Sequence, residues 1–132
     1  MRLFLQIHIG DWKQRSYHNP LVSYASSLAP DMMGTDIDNE SESVVIDLVI
    51  KLTEQAESVF VFVSADTEAQ VGSVDKMMQY LLHHESKVHQ LVAFGEHSVI
   101  GNLAEIFQGR FIKINDTEEV KKRIQSFATK TA

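Results

Sequence analysis

The chain contains no cysteine, and this absence removes several kinds of chemistry. Disulfide bonds, thiolate catalysis and cysteine-ligated zinc are all excluded. Basic residues are also scarce: 12 Lys and Arg face 18 Asp and Glu, and the net charge is −6. The basic surface of a general nucleic-acid-binding protein is therefore missing. No apolar run approaches the roughly 18 to 20 residues of a membrane-spanning helix, and the first residues lack the long apolar region of a signal peptide. We expect a cytoplasmic protein that binds neither nucleic acid nor a membrane.

The chain is long enough for one compact domain, and its composition is rich enough for one core. It has 132 residues, of which 44% are hydrophobic. The clearest element is the run Ser58 to Val63, whose Val-Phe-Val-Phe-Val core has no polar alternate and predicts a strand buried on both faces. Thr67 and Gln70 follow at the spacing of a capping box and predict that a helix begins there. A strand that leads through a polar turn into a helix is typical of parallel α/β sheets.

The same alternation of strands and helices runs through the rest of the chain. The acidic segment 31–42 has acids at five positions and no base, and we predict a loop of low order there. Segment 43–56 is apolar enough for a strand, but its polar residues recur every three or four positions and favour a helix. The remaining predicted strands cover 3–9, 88–94 and 111–114, and the remaining helices cover about 20–29, 98–107 and 116–127.

This order predicts a single α/β domain spanning residues 1–132. We expect a three-layer, doubly wound, flavodoxin-like fold, in which a mostly parallel sheet of four to five strands has helices on both faces. In that order the first strand lies between the second and third, and ligands bind at the carboxyl ends of the strands. The residues predicted to line this ligand site are Gly10, Asp11, Trp12, Ser64, Asp66, Gly95 and Glu96.

Two pairs of residues carry most of this site prediction. Asp11 and Trp12 follow the first strand, where an acid suits a sugar hydroxyl and an indole suits a stacked base; the alternative is a surface acid beside a packed indole. Ser64 and Asp66 precede a predicted helix, whose amino end favours an anion such as phosphate; the alternative is a simple helix cap. The sequence leaves both alternatives open.

Motifs for a cofactor, a metal or a hydrolase are missing. Neither Gly-x-Gly-x-x-Gly nor a P-loop occurs, and we expect no cofactor. The acidic segment lacks the turn glycine of a calcium loop. His83 and His84 are neighbours on a predicted helix and point about 100° apart, so we expect no metal there. Ser, His and Asp are present without a nucleophile-elbow motif, and the sequence alone does not support a hydrolase triad.

The pattern from Leu3 to Leu82 resembles TIR-like and related flavodoxin-like domains. The likeness lies in the aromatic-rich loop 9–17 at the end of the first strand, in the strand that ends at Ser64, and in the helix that follows Ser73. The resemblance implies a domain of signalling or defence that binds a nucleotide-type ligand or a protein partner. Catalytic relatives cleave the nicotinamide–ribose bond of NAD with a glutamate three residues after such a serine, and here that position is Lys76.

Three functions follow as hypotheses. The first is a non-catalytic domain that binds a nucleotide-type ligand or a protein partner. The second is an enzyme, a nucleoside or NAD N-glycosidase or a deoxyribosyltransferase-like protein, in which Glu68 or Asp75 is the catalytic carboxylate. The third is a structural interaction domain that forms a homodimer through a helix face.

Overall fold

Five parallel strands form one sheet in the order β2-β1-β3-β4-β5. The computed structural model describes residues 1–10, 20–66, 69–116 and 118–129. None of the helices within these ranges has the length and apolar character needed to cross a bilayer. The strands are β1 (Arg2–Ile9), β2 (Met32–Asp38), β3 (Ser58–Ala65), β4 (Val88–Gly95) and β5 (Phe111–Ile114), and the helices are α1 (Pro20–Ser27), α2 (Ser43–Gln55), α3 (Asp75–His83), α4 (Ser98–Ile106) and α5 (Glu118–Thr129).

The helices cover both faces of the sheet and create two separate cores. Helices α2, α3 and α4 pack on one face, against side chains such as Leu5 and Val61. Helices α1 and α5 pack on the other face, where Phe60 lies between Phe4 and Phe127 with ring centroids 5.9 and 5.7 Å away. The central strand β3 therefore has two buried faces, as its continuous apolar run predicts. The prediction of a three-layer, doubly wound α/β fold is confirmed.

The prediction of a loop over residues 31–42 is wrong, because residues 32–38 form β2. This strand pairs with β1 from Met32 beside Arg2 to Asp38 beside His8. It lies at the edge of the sheet, where a strand tolerates exposed polar residues, and only two of its seven residues are buried. Its local sequence, Met-Met-Gly-Thr-Asp-Ile-Asp, has no apolar alternation, so the strand depends on its neighbour β1.

The missed strand also changes the order of the sheet. The sequence-based order puts the first strand between strands 58–63 and 88–94, but β3 separates β1 from β4. The convergence of three strand ends is nevertheless correct. Ile9 pairs with Ala65, and Ala65 pairs with Gly95, so the carboxyl ends of β1, β3 and β4 meet at one edge.

The helix after β3 begins later than the capping-box spacing predicts. Gln70 is not helical, a short 3-10 turn covers Gly72–Val74, and α3 begins at Asp75. The side-chain amide of Asn39 donates to the Gln70 carbonyl (2.9 Å), and Ser73 N–H donates to the Asn39 carbonyl (3.2 Å). These contacts with the turn after β2 hold the segment in a non-helical conformation. Thr67, the first residue of the predicted box, lies outside the described residues.

Candidate functional site

A cleft of about 650 Å³ opens at the edge where β1, β3 and β4 end, beside α1. We call it the rim cleft. Its volume falls within the roughly 300 to 1,000 Å³ of small-molecule sites. Three apolar side chains line it: Leu21, Phe62 and Phe94. The polar side chains within the strands are Gln6, His8 and Ser64, and the residues at the strand ends are Ala65, Asp66, Gly95 and Glu96.

Strand register explains why polar and aromatic side chains meet in the rim cleft. In parallel strands, residues in register lie side by side on one face of the sheet. Gln6 on β1 is in register with Phe62 on β3. One step nearer the edge, His8 is in register with Ser64, and Ser64 with Phe94. Two adjacent rows of residues thus place an amide, an imidazole and a hydroxyl beside two aromatic rings.

The polar groups at the edge are close to one another. His8 Nδ1 and Ser64 Oγ form a hydrogen bond of 2.8 Å. A Cβ placed on Gly10 would lie 2.4 Å from Asp66 Oδ2 and 2.6 Å from His8 Nε2. Because both atoms are this close to one point, the Asp66 carboxylate and the His8 ring are neighbours. An imidazole, a hydroxyl and a carboxylate therefore gather at the end of β1 and β3. Such a group can bind the hydroxyls of a ligand from several directions.

Glycine is required at one position of this edge, Gly95, and leaves room for side chains at another, Gly10. A side chain at Gly10 would occupy the space that the His8 ring and the Asp66 carboxylate approach. Gly95 has φ +103°, and a Cβ there would lie 2.1 Å from the Ala65 carbonyl oxygen. Because only glycine avoids both the strain and the clash, it allows β3 and β4 to end close together.

Gln6 supplies the most direct sign of a missing partner. It is half-buried and lines the rim cleft, and its Oε1 is buried without a hydrogen-bond partner. An unsatisfied buried acceptor costs about 1 to 3 kcal/mol. A rotation of the Gln6 side chain that brings Oε1 into the cleft would let a ligand N–H group remove this cost.

Negative charge borders the opening. Asp66 and Glu96 are both exposed at the edge. Lys113 Nζ lies 2.6 Å from Glu96 Oε1 and offsets one of these charges. Among the described residues that line the cleft, no lysine or arginine occurs. Within the described ranges, no group of three or more His, Asp and Glu side chains is placed to hold a metal ion.

The structure brings together most of the predicted site residues that it describes. Ser64, Asp66, Gly95 and Glu96 line the rim cleft, and Gly10 borders it. Asp75 does not: it is exposed at the first residue of α3, which packs on the opposite face of the sheet. Asp11, Trp12 and Glu68 lie outside the described residues.

Six lining residues were missed by the sequence-based prediction: the apolar Leu21, Phe62, Ala65 and Phe94, and the polar Gln6 and His8. Gln6 and His8 are the polar pair among them. Both lie on one face of β1, among neighbours that are fully buried and apolar. A polar pair at alternate positions near the end of an otherwise apolar strand was the available signal. Gln6 and His8 belong to the site because they are in register with Phe62 and Ser64 of β3. The sequence of β1 alone gives no information about this register.

The fold and the rim cleft define a flavodoxin-like α/β protein with a ligand-sized site at the strand carboxyl ends. Neither a protein-family model nor a curated protein matches this chain. The chemistry of the cleft is therefore the guide to function.

Proposed function

We propose that this protein is a non-catalytic domain that binds a nucleotide-type ligand, with the base of the ligand in the rim cleft. The observation that carries the proposal is the cleft of about 650 Å³ with aromatic walls and a partnerless amide oxygen. A nucleotide-type ligand also fits the cytoplasmic location and the TIR-like resemblance that the sequence suggests.

The inner part of the cleft suits a planar heteroaromatic ring. Phe94 offers partly exposed aromatic surface, and Phe62, which is 2% exposed, lies beside it on the neighbouring strand. The carboxamide of Gln6 offers an acceptor and a donor side by side, a pair that matches the edge of adenine in other recognition sites. We therefore assign the base to this region, with an adenine-type edge against Gln6.

The outer part suits a sugar. His8, Ser64 and Asp66 present an imidazole, a hydroxyl and a carboxylate at the edge of the sheet. In doubly wound folds, a carboxylate near the strand ends commonly accepts hydrogen bonds from ribose hydroxyls. We assign the ribose to this group.

Calorimetry and thermal unfolding with adenosine, AMP and NAD test the proposal. A ligand at 100 times its Kd adds about 2.7 kcal/mol to the free energy of unfolding, which is a readily measured rise in Tm. Gln6→Leu should weaken binding roughly tenfold or more, because it removes the amide from the cleft. Gln79→Leu is the matched control, since Gln79 is exposed on α3. Wild-type protein that shows no shift with any of these ligands at millimolar concentration would contradict the proposal.

The position of Asp75 removes one of the two carboxylates that the N-glycosidase hypothesis names. Asp75 lies on α3, across the sheet from the rim cleft, and Glu68 lies outside the described residues. The rival hypothesis predicts release of nicotinamide from NAD or of free base from a nucleoside, which chromatography detects. We expect neither product after prolonged incubation with wild-type protein.

A second candidate function is self-association through α2. Three apolar side chains of this helix are exposed: Val44 (58%), Val45 (38%) and Leu48 (57%). Asp47 and Lys51 flank them with opposite charges on the same helix. Asp47 is ion-paired with Lys76 of α3 in the same chain, so the apolar patch is the main contact surface. A two-fold axis would bury the patch of one copy against that of the other, and we propose a second copy of this chain as the partner.

Sedimentation velocity over a range of concentrations tests self-association. Leu48→Lys should shift the population toward monomer, because it places a charge in the apolar patch. Gln125→Lys, on the exposed side of α5, adds the same charge elsewhere and should sediment like wild type. Wild-type protein that stays monomeric at high concentration would rule out the homodimer.

A further inference from the structure

A second, smaller cavity of about 190 Å³ lies between the start of β4 and the second half of α5. We call it the α5 cavity. It is lined by His89, Gln90, Arg123, Ser126 and Phe127. Four of these five side chains carry hydrogen-bond donors, and none of the five is acidic, although the whole chain has a net charge of −6. The α5 cavity is thus chemically unlike the acid-bordered rim cleft at the other end of β4.

A β-bulge brings two consecutive residues of β4 to this one cavity. The register between β3 and β4 passes from Val59 beside Val88 to Phe60 beside Gln90, so His89 is the extra residue. In a regular strand, His89 and Gln90 would point to opposite faces of the sheet. Bulges redirect side chains and are frequent beside functional sites. Here the bulge accounts for both residues lining the same cavity.

Helix α5 contributes the remaining lining residues from one face. Arg123, Ser126 and Phe127 stand at positions i, i+3 and i+4, which lie together on a helix. The Phe127 ring contacts the His89 ring at a centroid distance of 5.3 Å and provides an apolar wall. The guanidinium and the hydroxyl are therefore presented to the cavity from the helix, opposite the imidazole and the amide from the strand.

Arg123 has a donor without a partner. Its Nη2 lies 3.1 Å from Glu119 Oε1, but its Nε is buried and makes no hydrogen bond. The two other arginines within the described ranges use their donors on the protein: Arg2 binds Asp31 and two carbonyls of α5, and Arg110 binds the carbonyls of Glu85 and Val88. The guanidinium is ion-paired with Glu119 and the side chain is 30% exposed, so only the Nε donor is unsatisfied. An anion that reaches Nε would supply the missing hydrogen bond.

We infer that the α5 cavity binds a small tetrahedral oxyanion of the phosphate class, either as the free ion or as the terminal group of a phosphomonoester. The guanidinium of Arg123, the hydroxyl of Ser126 and the amide of Gln90 are donors that suit phosphate oxygens, and the planar guanidinium fits such oxygens best. The volume of about 190 Å³ holds several waters of about 30 Å³ each but is smaller than the roughly 300 Å³ needed for a drug-sized ligand. The site goes beyond the nucleotide-type binding proposed for the rim cleft and does not depend on it.

An NMR titration of the full chain tests the inference. Inorganic phosphate is added at constant ionic strength, with chloride as the replaced ion, and the backbone amides of residues 89, 90, 126 and 127 are followed. We expect saturable shifts at these amides. A parallel titration with glycerol phosphate separates the two sources: tighter binding of the ester identifies a phosphomonoester, and equal or tighter binding of the free ion identifies phosphate. Acetate and chloride should give no saturable shift.

Two variants of the same helix show whether Arg123 carries the binding. Arg123→Gln should weaken phosphate binding roughly tenfold or more, because it removes the charge-assisted donors. Lys122→Gln removes the same charge from the adjacent, exposed position and should bind like wild type. Arg123→Lys keeps the charge without the Nε donor, so it should also bind more weakly than wild type.

Three outcomes would overturn the inference. The first is wild-type protein without saturable shifts at tens of millimolar phosphate. The second is equal affinity in Arg123→Gln and Lys122→Gln. The third, which needs no variant, is a set of saturable phosphate shifts at amides other than residues 89, 90, 126 and 127, since the anion would then bind elsewhere.

Discussion

At the scale of single residues, the rim cleft depends on glycines that permit close approach. Gly95 combines φ +103° with a position where a Cβ would lie 2.1 Å from the Ala65 carbonyl. Both Gly10 and Gly95 were predicted as site residues from their places after the strands. Their role in the structure is steric: they leave space for neighbouring groups. Gly10 leaves room for two side chains, and Gly95 leaves room for a neighbouring backbone. Such steric roles depend on neighbours from other strands and are invisible in a local sequence.

We predict opposite effects of alanine at two glycines of this chain. Gly95→Ala should lower the free energy of unfolding by about 1 to 3 kcal/mol, because a positive φ is strained for any residue with a Cβ. Gly101→Ala, within α4 and with no atom within 4 Å of the added Cβ, should raise it by about 0.5 to 1 kcal/mol. Urea unfolding of both variants measures these changes. A stable Gly95→Ala protein would show that the strand ends adjust without cost.

At the scale of elements, helices and buried strands were the most predictable features. The polar stripe of residues 43–56 identified α2, which spans Ser43–Gln55. The uninterrupted apolar run identified β3. The edge strand β2 and the delayed start of α3 were not predictable, since β2 is held by β1 and the segment before α3 is held by Asn39. Local sequence patterns therefore predicted the elements that bury an apolar face of their own. They did not predict the elements that are held by contacts with a neighbouring segment.

His97 shows how one side chain joins two elements. Its Nδ1 accepts a hydrogen bond from Val99 N–H (3.1 Å) and caps α4. Because Nδ1 accepts, Nε2 carries the proton, and it donates to the Ala69 carbonyl at 2.6 Å. A single neutral imidazole thus ties the segment after β3 to the start of α4.

We predict that His97→Ala lowers the free energy of unfolding by about 1 to 3 kcal/mol, since it removes a helix cap and a tertiary hydrogen bond. His83→Ala, at an exposed position at the end of α3, should change it by less than about 0.5 kcal/mol. His97→Asn should recover the capping part of the loss. Chemical unfolding followed by circular dichroism gives all three values, and equal stability of the two alanine variants would refute the assignment.

At the scale of the whole molecule, Arg2 connects segments from both ends of the chain. Its Nε and Nη2 donate to the two carboxylate oxygens of Asp31, each at 2.8 Å. Its Nη1 donates to the Phe127 and Ala128 carbonyls at 2.7 and 2.9 Å. One guanidinium therefore links β1, the turn before β2 and the last turn of α5. The hydrogen bonds from Arg2 hold the pKa of Asp31 below its usual value.

This lowered pKa predicts a specific acid sensitivity. Because the pKa of Asp31 is lower in the folded than in the unfolded protein, its contribution to stability is present above the unfolded value of about 3.9 and is lost as the pH falls through the folded value. Asp31→Asn should therefore flatten the pH dependence of the urea midpoint below about pH 4. Asp36→Asn removes the same charge from an exposed position of β2 and should leave the dependence closer to that of wild type. Identical profiles for Asp31→Asn and wild type would contradict the prediction.

The amino-acid sequence alone was enough for the fold class, for four of the five strands, and for the expectation that Gly10, Ser64 and Gly95 reach a common edge. These features follow from periodicity within short segments, where each element buries its own apolar residues. Tertiary structure decided that β2 exists, that β3 separates β1 from β4, and that His8, Ser64 and Asp66 meet beside Gln6. The physical reason is that strand pairing and register are interactions between distant segments: hydrogen bonds to β1 hold β2 in place, and the register of β1 with β3 places His8 beside Ser64.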